Sequence, residues 1–440
     1  MFSSEGSPQQ NPNHKTIGYA DASYPGSAEE APWRSQARQR IERYRKGSLA
    51  VRVVDTTGRP VPNAQVEVQM QEHAFEFGSA VTARLLNADT ENGRRYRRFV
   101  RTRLNRVVFE NDLKWESWAE GASNSGDQYR HAWVRAAFDS LNAWGIDVRG
   151  HYGVWGPLEG GSTPADLTGD EVPDREQPRA LREAWFENLR QRIPAVESIG
   201  RPTQWDAINH PVGWGPTTVG DVLGLDFYAE VIRRMRTLAP RAELWVNEGG
   251  VLAGSTTESY IRVLRGLMQR GAAPDGIGVM GHLGKTEPRK LTPPDRIYER
   301  LDRLSGEIPR LQLTELDVTV DDDTLQARYF RDVLVAAFSH PDVEGVLLWG
   351  FWAGRHWRPR AALYREDWTP EPSAQVFDRL LFERWWTDTT GRTNEEGRFE
   401  TSGFLGSYRV RASGPGGTAE RTVRLDRDGT RITLVLGETP

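Results

Sequence analysis

Cysteine is absent from this chain of 440 residues, which excludes disulfides, thiolate metal sites and a cysteine nucleophile. The first 21 residues are polar and lack the apolar core of a signal peptide or a membrane span, so residues 1–30 are expected to form a disordered leader. The net charge of -4 argues against nucleic acid or an anionic membrane as a partner. Methionine is scarce, with 5 residues, whereas 16 tryptophans offer flat apolar surfaces that suit sugar rings.

From residue 75 onward, short apolar strands alternate with amphipathic helices. The strand candidates are 75–81, 106–109, 147–154, 204–209, 243–247, 276–281, 310–316 and 345–351. The clearest helices are predicted at 129–144, 221–238, 257–270 and 324–338. This alternation is typical of a parallel sheet, and eight such units predict an α/β fold, a closed (β/α)8 TIM barrel. A doubly wound open sheet is the alternative, but no glycine-rich phosphate loop follows the first strand.

Both ends of the chain carry short strands of another kind, with turns rich in glycine or proline between most of them. In the C-terminal part, glycine-rich turns are predicted at 390–392, 413–417 and 428–429. The strands are predicted at 49–55, 64–70, 397–401, 407–412, 418–425 and 431–436. Together they predict a small antiparallel β-sandwich built from the N- and C-terminal segments. The predicted domains are a leader (1–30), an N-terminal helix with the first accessory strands (31–73), the barrel (74–384) and the last accessory strands (385–440). Because no aromatic row marks a carbohydrate-binding module, a stabilising appendage is the favoured role.

The strand predicted at 310–316 leads into two carboxylates, Glu315 and Asp317, near its carboxyl end. An apolar strand does not bring ionised groups into a core without a reason, because an unpaired buried charge is costly. The carboxyl ends of the strands form the active face of a TIM barrel. Other polar and aromatic side chains at these ends are Glu110, Asn111, Lys114, Arg149, His151, Asn209, His210, Asn247, Glu248, His282, Trp349, Trp352, His356 and Trp357.

This set of side chains fits sugar chemistry better than other hydrolytic chemistry. His151, His210 and His282 come from different strands without convincing metal-ligand spacing, so neither a metal nor a cofactor is expected. No Gly-x-Ser-x-Gly elbow marks a serine hydrolase. A glycosidic bond breaks through an oxocarbenium-like transition state, in which a carboxylate attacks or stabilises the anomeric carbon while a proton donor assists the leaving oxygen. Carboxylates, amides, a lysine and tryptophans at one barrel mouth supply these groups.

Six motifs follow one another along the chain: Glu110-Asn-Asp-Leu-Lys-Trp115, Arg149-Gly-His-Tyr-Gly-Val-Trp155, Trp205-Asp-Ala-Ile-Asn209, Asn247-Glu248, Gly281-His282 and Thr314-Glu-Leu-Asp317. In this order they resemble glycoside hydrolase family 10, the (β/α)8 retaining endo-β-1,4-xylanases, over residues 75–381. Each motif alone is weak, whereas six in order are specific. The resemblance implies a secreted or periplasmic monomer that hydrolyses a xylan-like polysaccharide.

The resemblance also implies roles for individual residues. Glu315 is the nucleophile, His282 and Asp317 orient it, and Asn209 binds the 2-hydroxyl of the reacting sugar. Glu248 is a supporting carboxylate. Substrate-binding roles fall on Glu110, Asn111, Lys114, His151, Trp155, Trp349 and Trp357.

Three positions depart from the family pattern. His210 stands where the family has its acid/base glutamate, Gly156 replaces a histidine, and Met280 replaces a glutamine. A neutral imidazole is a poor proton donor, but an imidazolium is a competent one, and histidine titrates close to neutral pH. The ring must also reach an oxygen that a glutamate was positioned to meet.

His210 leaves three hypotheses open. In the first, His210 or a neighbouring carboxylate such as Glu248 is the acid/base residue of a working retaining glycosidase. In the second, the barrel binds polysaccharide without cutting it. In the third, the chain is an acid/base variant of an ordinary xylanase.

Overall fold

The computed structural model describes residues 23–158, 177–213, 217–285 and 287–437. The strands are β1 (Lys46–Asp55), β2 (Gln65–His73), β3 (Glu76–Val81), β4 (Arg106–Phe109), β5 (Asp147–Trp155), β6 (Gln204–Asn209), β7 (Glu243–Glu248), β8 (Gly276–Gly284), β9 (Leu311–Thr319), β10 (Val343–Leu348), β11 (Asp388–Arg392), β12 (Arg398–Phe404), β13 (Gly406–Gly414), β14 (Gly417–Leu425) and β15 (Thr430–Leu436).

The helices are α1 (Pro32–Tyr44), α2 (Ala83–Asn87), α3 (Glu91–Arg103), α4 (Trp115–Gly121), α5 (His131–Ala143), α6 (Gln177–Ile199), α7 (Val219–Leu238), α8 (Thr257–Gln269), α9 (Pro294–Ser305), α10 (Asp323–Ser339) and α11 (Pro372–Arg379). Short 3-10 segments cover Pro288–Lys290, Ala353–Arg355 and Pro359–Ala361, and a π-helical turn covers Leu380–Arg384. In the described ranges, no helix has both the length and the apolar character needed to cross a membrane.

Strands β3 to β10 close into a parallel barrel, because β10 pairs with β3 as well as with β9. Every residue of β4 and of β6 is buried, as expected of strands covered on both faces. The predicted (β/α)8 barrel and its strands are confirmed, with shifted boundaries. The last strand, predicted at 345–351, runs over Val343–Leu348. All eight strands end at one face, which carries the polar side chains singled out in the sequence.

The terminal segments form two further sheets, with strand orders β12-β1-β15 and β11-β2-β13-β14. Each combines one strand that precedes the barrel with strands that follow it, which confirms the accessory sheets predicted from both ends. The pairing of β1 with β15 is parallel rather than antiparallel, and no hairpin restricts it because the barrel lies between the two strands. Residues 390–392, predicted as a turn, belong to β11, which pairs with β2. Here pairing at the edge of a sheet outweighs the local preference of these residues for a turn.

The described part of the predicted leader, residues 23–30, packs against the barrel, while residues 1–22 lie outside the described ranges. Tyr24 is 3% exposed, and its hydroxyl donates a hydrogen bond of 2.5 Å to Asp332 on α10. Arg34 on α1 forms a salt bridge with the same carboxylate at 2.6 Å. The chain thus packs against the barrel from before residue 31, and α1 covers the barrel helix α10.

Candidate active site

Glu315 lies on β9 at the carboxyl face of the barrel and is 5% exposed. Its Oε1 accepts a hydrogen bond of 2.9 Å from the side-chain amide of Asn247, which also donates to the Asn209 side-chain oxygen at 2.9 Å. Its Oε2 lies 3.1 Å from Nε2 of His282. Both carboxylate oxygens are thus held from neighbouring strands, so the orientation of Glu315 is fixed before any substrate binds.

His282 on β8 stands between two carboxylates. Its Nδ1 lies 2.7 Å from Oδ2 of Asp317, opposite its contact with Glu315. Asp317 in turn accepts hydrogen bonds from the Trp357 indole at 2.8 Å and from the Arg358 guanidinium at 3.0 Å. Asp317 and His282, both predicted to orient Glu315, therefore belong to one chain of hydrogen bonds, which runs from the loop after β10 to Glu315.

The network controls the charge of its members. Burial would lower the pKa of His282, but hydrogen bonds to Asp317 and Glu315 raise it to about 9. Burial would raise the pKa of Glu315, but the hydrogen bond from His282 and the nearby imidazoles hold it below its usual value. At neutral pH the site therefore contains an imidazolium next to an ionised Glu315, which is the form a nucleophile requires.

The raised pKa of His282 predicts a loss of stability in alkali. A group whose folded pKa lies above its unfolded value of 6.5 stabilises the fold fully below that value and loses this contribution as the pH rises through about 9. We expect the melting temperature of the wild-type protein to fall between pH 7 and 10, and that of His282→Gln to fall less. The contribution is about 3 kcal/mol at most. Parallel pH profiles of the two proteins would contradict this charge assignment.

His210 follows β6 and lines the same cavity as His282 and Glu315. Its Nδ1 is 3.0 Å from Oε1 of Glu248, and the Trp155 ring meets it edge to face with centroids 5.0 Å apart. Glu248 accepts further hydrogen bonds from the backbone amides of Val212 at 2.7 Å and Gly249 at 2.7 Å. Glu248 is 1% exposed, and its buried carboxylate therefore binds backbone amides of the surrounding loops as well as His210.

The remaining predicted residues lie along the side of β4 and β5. The Lys114 ammonium donates to the Asn111 side-chain oxygen at 2.8 Å. Glu110 faces the Arg355 guanidinium at 3.5 Å. His151 on β5 contacts Asp206 through Nδ1 at 2.8 Å, and its ring lies edge to face with Trp349, with centroids 5.2 Å apart.

A cavity of about 550 Å³ collects most of these side chains. Ten predicted residues line it: Lys114, His151, Trp155, Asn209, His210, Glu248, His282, Glu315, Trp349 and Trp357. Of the other three, Asn111 and Asp317 contact the lining residues Lys114 and His282, whereas Glu110 faces Arg355, which is not among the lining residues. The sequence did not assign roles to Asn247, Arg358, Ser255 or Thr256; Asn247 bridges two predicted residues, and the others line the cavity.

In the described part of the chain, no group of three His, Asp or Glu side chains is arranged to hold a metal ion. His151, His210 and His282 instead contact three different carboxylates, those of Asp206, Glu248 and Asp317.

The fold and the cavity together define a barrel of the glycosidase class, with an oriented carboxylate and aromatic walls at the carboxyl face. The profile of glycosyl hydrolase family 10 matches residues 67–380, and the chain belongs to this family.

Two curated relatives illustrate the range of the family. The anti-sigma-I factor RsgI6 of Acetivibrio thermocellus is 31% identical over 397 residues, which cover 90% of this chain and 49% of that protein. Endo-1,4-beta-xylanase 2 of Arabidopsis thaliana is 27% identical over 382 residues, which cover 86% of this chain and 33% of that protein. The chain thus spans about half or less of the length of these relatives.

Among solved structures, xylanase 10B from Thermotoga petrophila in complex with xylobiose shares the fold with a TM-score of 0.57. The two chains are 20% identical, and the match covers 71% of this chain and 95% of the xylanase.

Proposed function

We propose that this chain is a retaining glycoside hydrolase for a β-linked, xylan-like polysaccharide, with Glu315 as nucleophile and His210 as acid/base residue. The observation that carries the proposal is the position of Glu315. Its carboxylate is buried, ionised and held through both oxygens in a cavity that also contains a protonatable His210. A retaining mechanism needs these two functions.

The reaction balances as two displacements. The Glu315 carboxylate attacks the anomeric carbon, the bond to the leaving oxygen breaks, and the imidazolium of His210 gives its Nε2 proton to that oxygen. A glycosyl ester of Glu315 and a shortened sugar chain result. Water then attacks the same carbon, its proton passes to Nε2, and Glu315 leaves as a carboxylate. Glycoside and water thus become a reducing sugar and an alcohol, with retained configuration.

The walls of the cavity support a sugar ligand. Trp155, Trp349 and Trp357 contribute aromatic surface, and Trp357 is 48% exposed although it donates its indole hydrogen to Asp317. Exposed aromatic faces beside polar groups suit pyranose rings. The names of the Arabidopsis relatives favour a xylan, because these proteins are called endo-1,4-beta-xylanases.

A second candidate function is polysaccharide binding without cleavage. Two observations favour it: His210 at the position of the family's acid/base glutamate, and the anti-sigma factor among the relatives. In that case the ordered cavity would serve recognition alone.

A substrate panel with and without a good leaving group tests the proposal. We expect the protein to hydrolyse 2,4-dinitrophenyl β-xylobioside and xylohexaose, with the β-anomer appearing first by proton NMR. His210→Ala should lose about 10²–10⁴-fold in kcat/KM on xylohexaose and much less on the aryl substrate, which needs no protonation. An inverted product would contradict the mechanism. No turnover of either substrate, together with measurable affinity for xylan, would support the binding function instead.

A further inference from the structure

The three departures from the family pattern meet at one place. Gly156 ends the wall formed by β5, His210 begins the loop after β6, and Met280 lies on β8. Gly156 adjoins the His210 carbonyl, and Gly249 adjoins both the His210 ring and the Met280 sulfur. Glu248 contacts both His210 and Gly249. We name this set, Gly156, His210, Glu248, Gly249 and Met280, the His210 cluster.

Gly156 is required by the backbone of His210. His210 has a φ of 57°, in the left-handed region that few residues other than glycine adopt. In this conformation its carbonyl oxygen lies where a side chain at Gly156 would start, because an added Cβ would be 1.8 Å from that oxygen. The Gly156 amide meanwhile donates to the Asn209 carbonyl at 2.7 Å. The family's histidine at position 156 and the present backbone at His210 therefore exclude each other.

Gly249 borders the imidazole ring, and the Met280 sulfur lies beside Gly249. A Cβ added to Gly249 would lie 3.0 Å from Cε1 of His210 and 3.4 Å from the Met280 sulfur. Trp155 covers the ring edge to face. The ring therefore packs close to a strand end that has no side chain, and this strand end also adjoins a thioether that competes for no proton.

Glu248 fixes the orientation of the His210 ring. Its Oε1 is 3.0 Å from Nδ1 of His210, and three backbone amides, those of Val212, Gly213 and Gly249, donate to the same carboxyl group. A carboxylate bound in this way cannot swing into the cavity to act as the acid itself. It can hold the Nδ1 proton, so that Nε2 is the nitrogen that exchanges protons, as in other carboxylate–histidine pairs.

We propose that the three departures are one coupled change, in which Glu248 is the positioning residue for His210, Gly156 accommodates the His210 backbone, and Gly249 beside Met280 accommodates the ring. The proton donor of this site is then a histidine–glutamate pair in place of a single carboxyl group. The inference rests on the proposed function, since it explains how His210 takes over the acid/base role.

Leaving-group selectivity tests the role of Glu248. In Glu248→Gln we expect kcat/KM on xylohexaose to fall by about 10²-fold, and that on 2,4-dinitrophenyl β-xylobioside to change less than about threefold. Glu248→Asp should recover part of the loss. A general structural defect would lower kcat/KM on both substrates alike, and that result would overturn the positioning role of Glu248. Turnover of both substrates by the wild type and of neither by Glu315→Ala would support the proposed function. A failed Glu248 prediction would then count against this inference alone.

A second experiment needs no turnover. Gly156→His should lower the melting temperature in the wild-type background and lower it less in the His210→Glu/Met280→Gln background, where residue 210 can leave the left-handed conformation. Strictly additive melting temperatures would overturn the coupling. In parallel, a downfield proton NMR resonance of the His210 Nδ1–H is expected in the wild type and should disappear in Glu248→Gln. If both proteins lack it, the pair does not form in solution.

Activity of the reversal variants completes the test. His210→Glu alone should hydrolyse xylohexaose more slowly than the triple variant His210→Glu/Gly156→His/Met280→Gln, because a side chain at position 156 excludes the left-handed backbone at 210, whereas glycine permits it. If the single variant is the more active of the two, the departures are independent changes.

Discussion

Replacing Glu315 by alanine is expected to lower kcat/KM on both xylohexaose and the aryl xylobioside by a factor on the order of 10⁵. The loss should affect both substrates because an activated leaving group does not replace the nucleophile. The position is specific: Asn247 and His282 hold the two carboxylate oxygens, so no other carboxylate of the cavity can occupy it. Initial rates and single-turnover measurements would give the loss in the chemical step.

Sodium azide should partly restore aryl substrate cleavage in Glu315→Ala, since a small anion fits the space left by the carboxylate and attacks the anomeric carbon directly. The product would then be the glycosyl azide of inverted configuration. Glu258→Ala is the matched control, because Glu258 is an exposed carboxylate on the barrel helix α8, paired with Arg303 outside the cavity. Substantial activity in Glu315→Ala without azide would refute the assignment of the nucleophile.

The barrel and most of the cavity could be predicted from the sequence because their signals are local. Largely apolar strands mark the barrel, and a polar residue at the carboxyl end of a strand lies at one face of a closed parallel sheet. Glu315 and His282 were found in this way, and both line the cavity. The turn predicted at 390–392 was wrong, because the sequence of an exposed edge strand such as β11 resembles that of a turn when its partner strand is unknown.

The contacts that complete the site depend on register between distant strands. Asn247 joins Asn209 to Glu315 across three strands, and neither its sequence neighbours nor its spacing indicates this. Arg358 reaches Asp317 from a loop after β10. The dependence of Gly156 on the His210 carbonyl is likewise a matter of backbone conformation, which composition does not encode.

Below the cavity, the barrel interior contains a second charged network whose disruption should cost the most stability. Arg149 on β5 is 0% exposed, and its Nε donates to Oδ1 of Asp206 at 3.1 Å. Its Nη1 also donates to the side-chain oxygens of Gln204 at 3.0 Å and Gln312 at 2.6 Å. The other oxygen of Asp206 contacts His151, a residue of the cavity wall. The network therefore links the packing of the barrel to the floor of the site.

Asp206→Asn keeps the shape of this side chain but leaves the Arg149 guanidinium buried without its counter-charge. We expect the free energy of unfolding to fall by about 3–5 kcal/mol in urea titrations at pH 7, because a buried charge that loses its partner keeps its desolvation cost. The exposed pair between Glu91 and Arg95 on α3 provides the control, and Glu91→Gln should unfold like the wild type. Equal stabilities of Asp206→Asn and the wild type would show that the glutamines suffice to hold Arg149.

The pH dependence of the same variant supplies an independent check. Burial would raise the pKa of Asp206, but Arg149 and His151 hold it below its usual value. A lowered folded pKa stabilises the fold above the unfolded value, about 3.9, and this contribution disappears as the pH falls through the folded pKa. The difference in unfolding free energy between the wild type and Asp206→Asn should therefore be constant near neutrality and shrink in acid. A difference that persists unchanged below pH 3 would place the effect in packing rather than in the charge of Asp206.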